Sequence, residues 1–248
     1  MKKKKIIIGI LLLLAIAVAV VIIIFVRHNI VPEQTSQKQT TGTTQTTAAT
    51  TKAVVEANVR DGLLILVNDR HPIPKKYQPD LVTVEGEYQT TIDKRAVNDL
   101  KQMLSDCRAA GFQPLVCSSY RSVEKQTELY NSKVRQYRVY SGMSDADANK
   151  EAKKWVAYPG TSEHHTGLAL DIVDINNQLL DKSQEKTGTQ QWLMQHCYRY
   201  GFILRYPSDK KAYTHINYEP WHYRYVGIAH AKKIVSSGMC LEEYLGKK

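Results

Sequence analysis

Two short stretches carry side chains that could do chemistry together. Ser162-Glu163-His164-His165-Thr166-Gly167-Leu168-Ala169-Leu170-Asp171 lies past the middle of the chain, and Glu219-Pro220-Trp221-His222 lies near its end. His164, Asp171 and His222 form a three-ligand set of the kind that holds a catalytic zinc and leaves a fourth position for water. Glu219, three residues before His222, is a carboxylate placed to take a proton from that water. A turn at Thr166-Gly167 would let His164 and Asp171 meet one ion. Against this, a histidine is more often a satisfied structural residue than a ligand, and spacing alone supports the two readings equally.

Such a site must be held by strands and helices, and the hydropathy pattern places them. From Gly167 the residues alternate: Leu168, Leu170 and Ile172 point one way, Ala169, Asp171 and Val173 the other. Asp171 thus lies on a strand face beside the small Ala169, which leaves room for an ion. Leu63 to Val67 reads as a buried strand. Ile92-Asp93 opens a helical pattern with Ala96, Leu100, Met103 and Leu104 on one face. Gly111 is its C-cap, and the strand Phe112 to Cys117 follows. Val123 to Tyr140 and Ser144 to about Val156 read as helices, the latter ended by Pro159-Gly160. Residues 190–200 form a further helix ending at Gly201, before the strand Phe202 to Leu204. Glu219 to Val226 is an aromatic-rich strand or turn, and Ile228 to Ser236 is a closing helix. Strands and helices do not alternate regularly, so the expected class is α+β, a small antiparallel sheet flanked by helices.

The N-terminal part is of another kind. Residues 1–5 are a basic tail, and Ile6 to Val26 is an uncharged apolar run of 21 residues. As a helix it would span about 31 Å, the thickness of a bilayer core. Four lysines on its N-terminal side orient that end into the cytoplasm. The expectation is an uncleaved single-pass anchor at 6–26, a Thr/Gln-rich stalk at 27–56 and an extracellular domain at 57–248. The stalk has almost no large apolar side chain and cannot bury enough surface to offset its ordering entropy.

The formal charge of +10 is concentrated in this leader. Residues 1–52 hold seven basic residues and one acid, so 27 basic and 23 acidic residues remain, a net of +4. With no basic stripe and no nucleic-acid motif, nucleic acid is excluded as a partner. Cys107, Cys117, Cys197 and Cys240 form no C-x-x-C pair, which argues against a zinc ribbon. They are open to up to two disulfides or to free thiols.

The segments S-x-H-x-x-G-x-A-x-D (Ser162 to Asp171) and E-P-W-H (Glu219 to His222) resemble the VanY-type D-alanyl-D-alanine carboxypeptidases of the LAS metallopeptidases, the group that includes lysostaphin and sonic hedgehog. The likeness extends to Ser119-Tyr120-Arg121-Ser122 with Gln126, to Gly201-Phe202 with Arg205-Tyr206-Pro207, and to Leu66-Val67-Asn68 and Tyr77, Pro79 and Leu81. It covers most of residues 60–240. The resemblance implies a hedgehog/DD-peptidase-like fold and one zinc on His164, Asp171 and His222, with Glu219 as catalytic base. It also implies that Arg121 binds a substrate or transition-state oxygen, and that Gln126 and Ser162 line the substrate site. His165, next to a ligand, is not implied to be one. His215 departs from the pattern, since the family commonly has glycine there.

The reaction so implied is hydrolytic removal of the C-terminal D-alanine from peptidoglycan stem peptides, outside the cell membrane of a Gram-positive-type bacterium. The same motifs serve L,D-carboxypeptidases acting on tetrapeptide stems and endopeptidases cutting cross-links. A catalytically idle peptidoglycan-binding module is the reading from another class. Retention of Glu219 and all three ligands argues against it.

Overall fold

A computed structural model describes residues 62–247. The expected tail at 1–5, anchor at 6–26, stalk at 27–56 and domain start at 57 lie outside them. Among the described residues, no helix is long and apolar enough to cross a membrane.

The centre is a four-stranded antiparallel sheet. It comprises β3 (Pro114–Ser118), β4 (Ala169–Asp174), β5 (Phe202–Leu204) and β6 (His222–Tyr225), in the order β3-β4-β6-β5. A two-stranded sheet of β1 (Leu81–Thr83) and β2 (Thr91–Asp93) accompanies it. The helices are α1 (Val97–Ala109), α2 (Val123–Ser141), α3 (Asp145–Ala152), α4 (Gly188–His196), α5 (Lys211–Thr214), α6 (Ile228–Ser237) and α7 (Leu241–Tyr244). The α+β architecture with a small antiparallel sheet is thus as expected.

Each face of the sheet has its own work, because side chains alternate along a strand. Leu168, Leu170 and Ile172 pack with Tyr223 and Tyr225 against Leu100, Met103, Leu104 and Cys107 of α1, forming the main core. The opposite face carries Ala169, Asp171, His222 and Arg224, with Asp171 directly across from His222 and Ala169 across from Arg224. Asp171 thus stands on this face between the small Ala169 on its own strand and His222 on the next.

Local chemistry sets the element ends. Ser122 caps α2 by accepting from Lys125 N–H, and Ser144 caps α3 by accepting from Asp147 N–H. Several boundaries differ from expectation, including a helix over 190–200 that ends at His196 in favour of a 3₁₀ turn (Cys197–Tyr200). Leu63 to Val67 forms no ladder; the carbonyls of Leu63 and Ile65 are taken by the Arg224 guanidinium, at 3.0 and 2.9 Å. Ile92-Asp93 belongs to β2, and the Asp93 carboxylate accepts from Arg95 N–H to start a 3₁₀ turn (Lys94–Ala96) ahead of α1. The helix expected to run to about Val156 ends at Ala152. All four cysteines are free thiols, so the disulfide alternative does not hold.

Gly167 sits between two of the candidate ligands in the left-handed region, at φ 71°. A Cβ there would lie 2.8 Å from Leu81 Cδ2 and 3.0 Å from the Asp93 amide nitrogen. Gly167→Ala is therefore expected to cost about 1–3 kcal/mol through φ strain and overpacking. For a domain of this size that lowers Tm by roughly 2–12 °C, measurable by thermal denaturation.

Candidate metal centre

His164, Asp171 and His222 each offer a ligand atom, and these atoms lie within 4.8 Å of one another. All three residues are buried. Asp171 and His222 come together because they are register partners on β4 and β6, where facing side chains are nearest neighbours. His164 arrives from a 3₁₀ turn (Glu163–Thr166), capped by the Ser162 hydroxyl and closed by Gly167. His165 on the same turn is not part of the cluster. Its Nδ1 donates to the Arg121 carbonyl at 2.7 Å, and its Nε2 accepts from Gly160 N–H.

The hydrogen bonds assign the donor atoms. His164 Nδ1 donates to the Ser119 carbonyl at 2.7 Å, which leaves Nε2 free as a ligand, 3.3 Å from Asp171 Oδ2. His222 presents Nδ1 toward Asp171 Oδ1 at 3.1 Å. The two rings meet edge to face with centroids 4.9 Å apart. Two imidazole nitrogens and a carboxylate, with one ring braced by a backbone carbonyl, match the donor set and supporting contacts of a three-ligand zinc site.

Glu219 is buried beside this cluster, its Oε2 3.8 Å from His222 Nδ1. The turn is held by its backbone, with Glu219 N–H donating to the Tyr206 carbonyl and His222 N–H to the Glu219 carbonyl, both at 3.2 Å. Arg121 follows β3, whose ladder with β4 carries a bulge at Cys117, opposite Asp171. Bulges of this kind commonly re-aim side chains next to active sites. The Arg121 guanidinium donates to Gln126 Oε1 at 2.8 Å, to Ser118 Oγ at 2.7 Å and to Asp171 Oδ2 at 3.4 Å. Gln126 is buried, and its amide donates to the Ala157 carbonyl, so both ends of its side chain are engaged in bracing Arg121. Arg121, Gln126, Ser162, His164, Asp171, Glu219 and His222 all line one cleft of about 850 Å³.

His215 is set apart from this cleft. It adopts φ 58°, the left-handed conformation that explains why glycine suits the position, and its ring bridges Asp69 at 2.9 Å and Arg70 at 3.0 Å.

Sequence reading overlooked a buried ionic network behind the sheet. Glu163 Oε1 accepts from Arg205 Nε and Arg224 Nη1, both at 2.8 Å. Arg205 also forks onto Glu242 of α7, at 2.6 and 2.9 Å, and Asn68 joins Glu242 at 3.2 Å. The adjacency of Glu163 to a ligand histidine was visible in the chain, but its partners lie about 40 or more residues away.

Burial and neighbouring charges shift the titrations in opposite senses. Burial, reinforced by Asp171 and opposed by His222 and Arg121, pushes Glu219 up to about 8. For His222, burial disfavours the charged form, but the neighbouring Asp171 and Glu163 carboxylates outweigh it and raise the group to about 9. Burial and the Arg121 charge lower His164 to about 4. Burial also opposes charge on Glu163, yet Arg205 and Arg224 hold its carboxyl well below the usual range.

The sign for stability in the metal-free protein follows. Above pH 6.5 an unfolded glutamate or histidine has lost its proton, while folded Glu219 and His222 still hold theirs up to about 8 and about 9. The folded state then binds more protons than the unfolded, so stability falls as pH rises through this window. His164, lowered to about 4, is neutral in both states there. The Tm of the chelator-treated protein is accordingly expected to drop between pH 6.5 and 9; a Tm that rises across this range would contradict the assignment.

Comparisons with known proteins converge on one family. Residues 89–228 match VanY, described as D-alanyl-D-alanine carboxypeptidase. A D-alanyl-D-alanine carboxypeptidase of Enterococcus faecalis (strain ATCC 700802 / V583) is 44% identical over 203 residues, covering 81% of this chain and 71% of the relative. A crystal structure of the vancomycin resistance D,D-pentapeptidase VanY from a VanB-type cassette, a point variant in complex with Zn(II), superposes with a TM-score of 0.66 at 44% identity, covering 73% of this chain and 98% of that one. The LD-carboxypeptidase LdcB gives 0.65 at 36% identity, covering 75% and 86%. Taken with the clustered donors and the cleft, these matches show that the chain belongs to the VanY family of D-alanyl-D-alanine carboxypeptidases.

Proposed function

We propose that the protein is a zinc-dependent D,D-carboxypeptidase that removes the C-terminal D-alanine from peptidoglycan stem peptides. The observation that carries this reading is the convergence of His164, Asp171 and His222 beside a carboxylate and a guanidinium in one cleft. His164, Asp171 and His222 would hold one zinc, which when bound lowers the pKa of a water and polarises a carbonyl.

The chain's own groups account for the rest. Glu219 makes no hydrogen bond through its carboxylate among the described residues, so it is available to take the proton of the attacking water and return it to the leaving amine. A cation among its neighbours would bring Glu219 down from its raised value toward the ionised form that a base requires. Arg121 has three of a guanidinium's five donors committed, which leaves two for a substrate oxygen. The Ser162 hydroxyl accepts from His164 N–H and retains its own proton for the peptide. A cleft of about 850 Å³ is near the upper end for small-ligand sites, in keeping with a substrate longer than a dipeptide. The apolar run at 6–26 and the stalk at 27–56 fit a catalytic domain tethered outside the membrane, where such stems occur.

Likeness to an LD-carboxypeptidase supports a second reading, removal of D-alanine from tetrapeptides. The two separate when the domain is incubated with pentapeptide and tetrapeptide muropeptides, with and without a chelator, and products are weighed by mass spectrometry. Chelator-sensitive loss of one alanine from the pentapeptide alone supports D,D cleavage. Loss from the tetrapeptide alone supports L,D cleavage. A folded, zinc-loaded protein that cuts neither would overturn both.

A further inference from the structure

We propose that Glu163 is a positioning residue for the metal: it accepts the Nε2 proton of His222 and so makes Nδ1 the ligand atom. The inference deepens the zinc reading above and rests on it.

Two buried side-chain atoms among the described residues have no hydrogen-bond partner, and they face each other. Glu163 Oε2 and His222 Nε2 are 3.7 Å apart. Orphaned polar atoms in so enclosed a place are costly, so each calls for a partner. An imidazole that binds a metal through Nδ1 carries its proton on Nε2, and that N–H needs an acceptor. Glu163 supplies one. Arg205 and Arg224 both occupy its Oε1, which anchors the carboxylate and leaves Oε2 directed at the ring. Closing the gap to a hydrogen bond of about 2.9 Å takes a shift of under about 1 Å. His164 receives the matching support from the Ser119 carbonyl at its Nδ1. The two histidines are therefore braced at opposite ring nitrogens, one by backbone and one by a buried charge.

A purely structural role as counter-ion to Arg205 and Arg224 is the competing account, and zinc affinity distinguishes them. Glu163→Gln keeps an acceptor for the arginines but sets an amide against the ring. We expect it to bind zinc 10–100-fold more weakly in competition with a chromophoric chelator. It should also show a smaller rise in Tm on adding zinc and an altered visible spectrum when loaded with cobalt(II). Glu242→Gln, which loosens the same network away from His222, should lower Tm with and without zinc alike and leave zinc affinity within about twofold of wild type. Equal zinc affinity in Glu163→Gln and wild type would overturn the proposal. Should Glu163→Gln fail to fold, nitrogen NMR of the zinc-loaded wild type decides. A proton on His222 Nε2, shifted downfield, supports the proposal, whereas a proton on Nδ1 refutes it. A wild type that binds no zinc would instead sink the underlying zinc reading.

Discussion

Glu219→Gln is expected to lower kcat/KM on an alanine-terminated pentapeptide by ~10²–10⁴, the range typical of a lost general base, with one zinc per chain retained. Glutamine has the shape of glutamate but cannot accept the proton. The turn should survive, because the backbone bonds of Glu219 to Tyr206 and of His222 to Glu219 hold it without the carboxylate. The metal should stay, because Glu219 is not one of the three clustered donors. The residue's isolation favours a chemical role over a structural one. Its carboxylate is buried, and His222 Nδ1 lies 3.8 Å from its Oε2. A buried carboxylate without a strong partner is costly to stability, so Glu219→Gln should leave Tm unchanged or raise it. The check is D-alanine release at steady state, alongside metal analysis and a melting curve. Activity within about tenfold of wild type would remove Glu219 from the base role.

Arg121→Lys should reduce kcat/KM by ~10²–10³, close to the loss of one oxyanion donor. The positive charge remains, so the prediction rests on geometry. A guanidinium can contact Gln126, Ser118 and Asp171 and still direct two N–H groups at a substrate. An ammonium has three donors on one atom and cannot span those partners and the peptide at once. Gln126, braced by the Ala157 carbonyl, fixes the plane of the guanidinium. If Arg121 holds the developing oxyanion, the loss appears mainly in kcat; if it grips the terminal carboxylate equally in ground and transition states, it appears in KM. A change below about fivefold in both would show that Arg121 touches neither oxygen and serves as a partner of Asp171.

The chain itself determined the candidate donors and the kind of structure that carries them. The candidates His164, Asp171, His222 and Glu219 were legible because ligand and base chemistry depends on residue type, and because the alternation from Leu168 to Val173 declared which side Asp171 faces. The cap at Ser144 and the glycine at 201 marked element ends, since those are local effects of a few residues. What only the tertiary structure decided depends on partners distant in sequence. The Leu63 to Val67 run looked like a strand, yet its carbonyls answer to Arg224, some 160 residues on. Gln126 lines the cleft as expected, but its hydrogen bonds at both ends, to Arg121 and Ala157, could not be read from the chain. Glu163 could not be assigned from its neighbours in the chain, because its surroundings are Arg205, Arg224 and His222, brought in by β5 and β6 and tied to α7 through Glu242. Residue types state which groups could bind a metal. The strand register sets Asp171 against His222, so that the ring turns Nδ1 toward the clustered donors and Nε2 toward the buried charges behind.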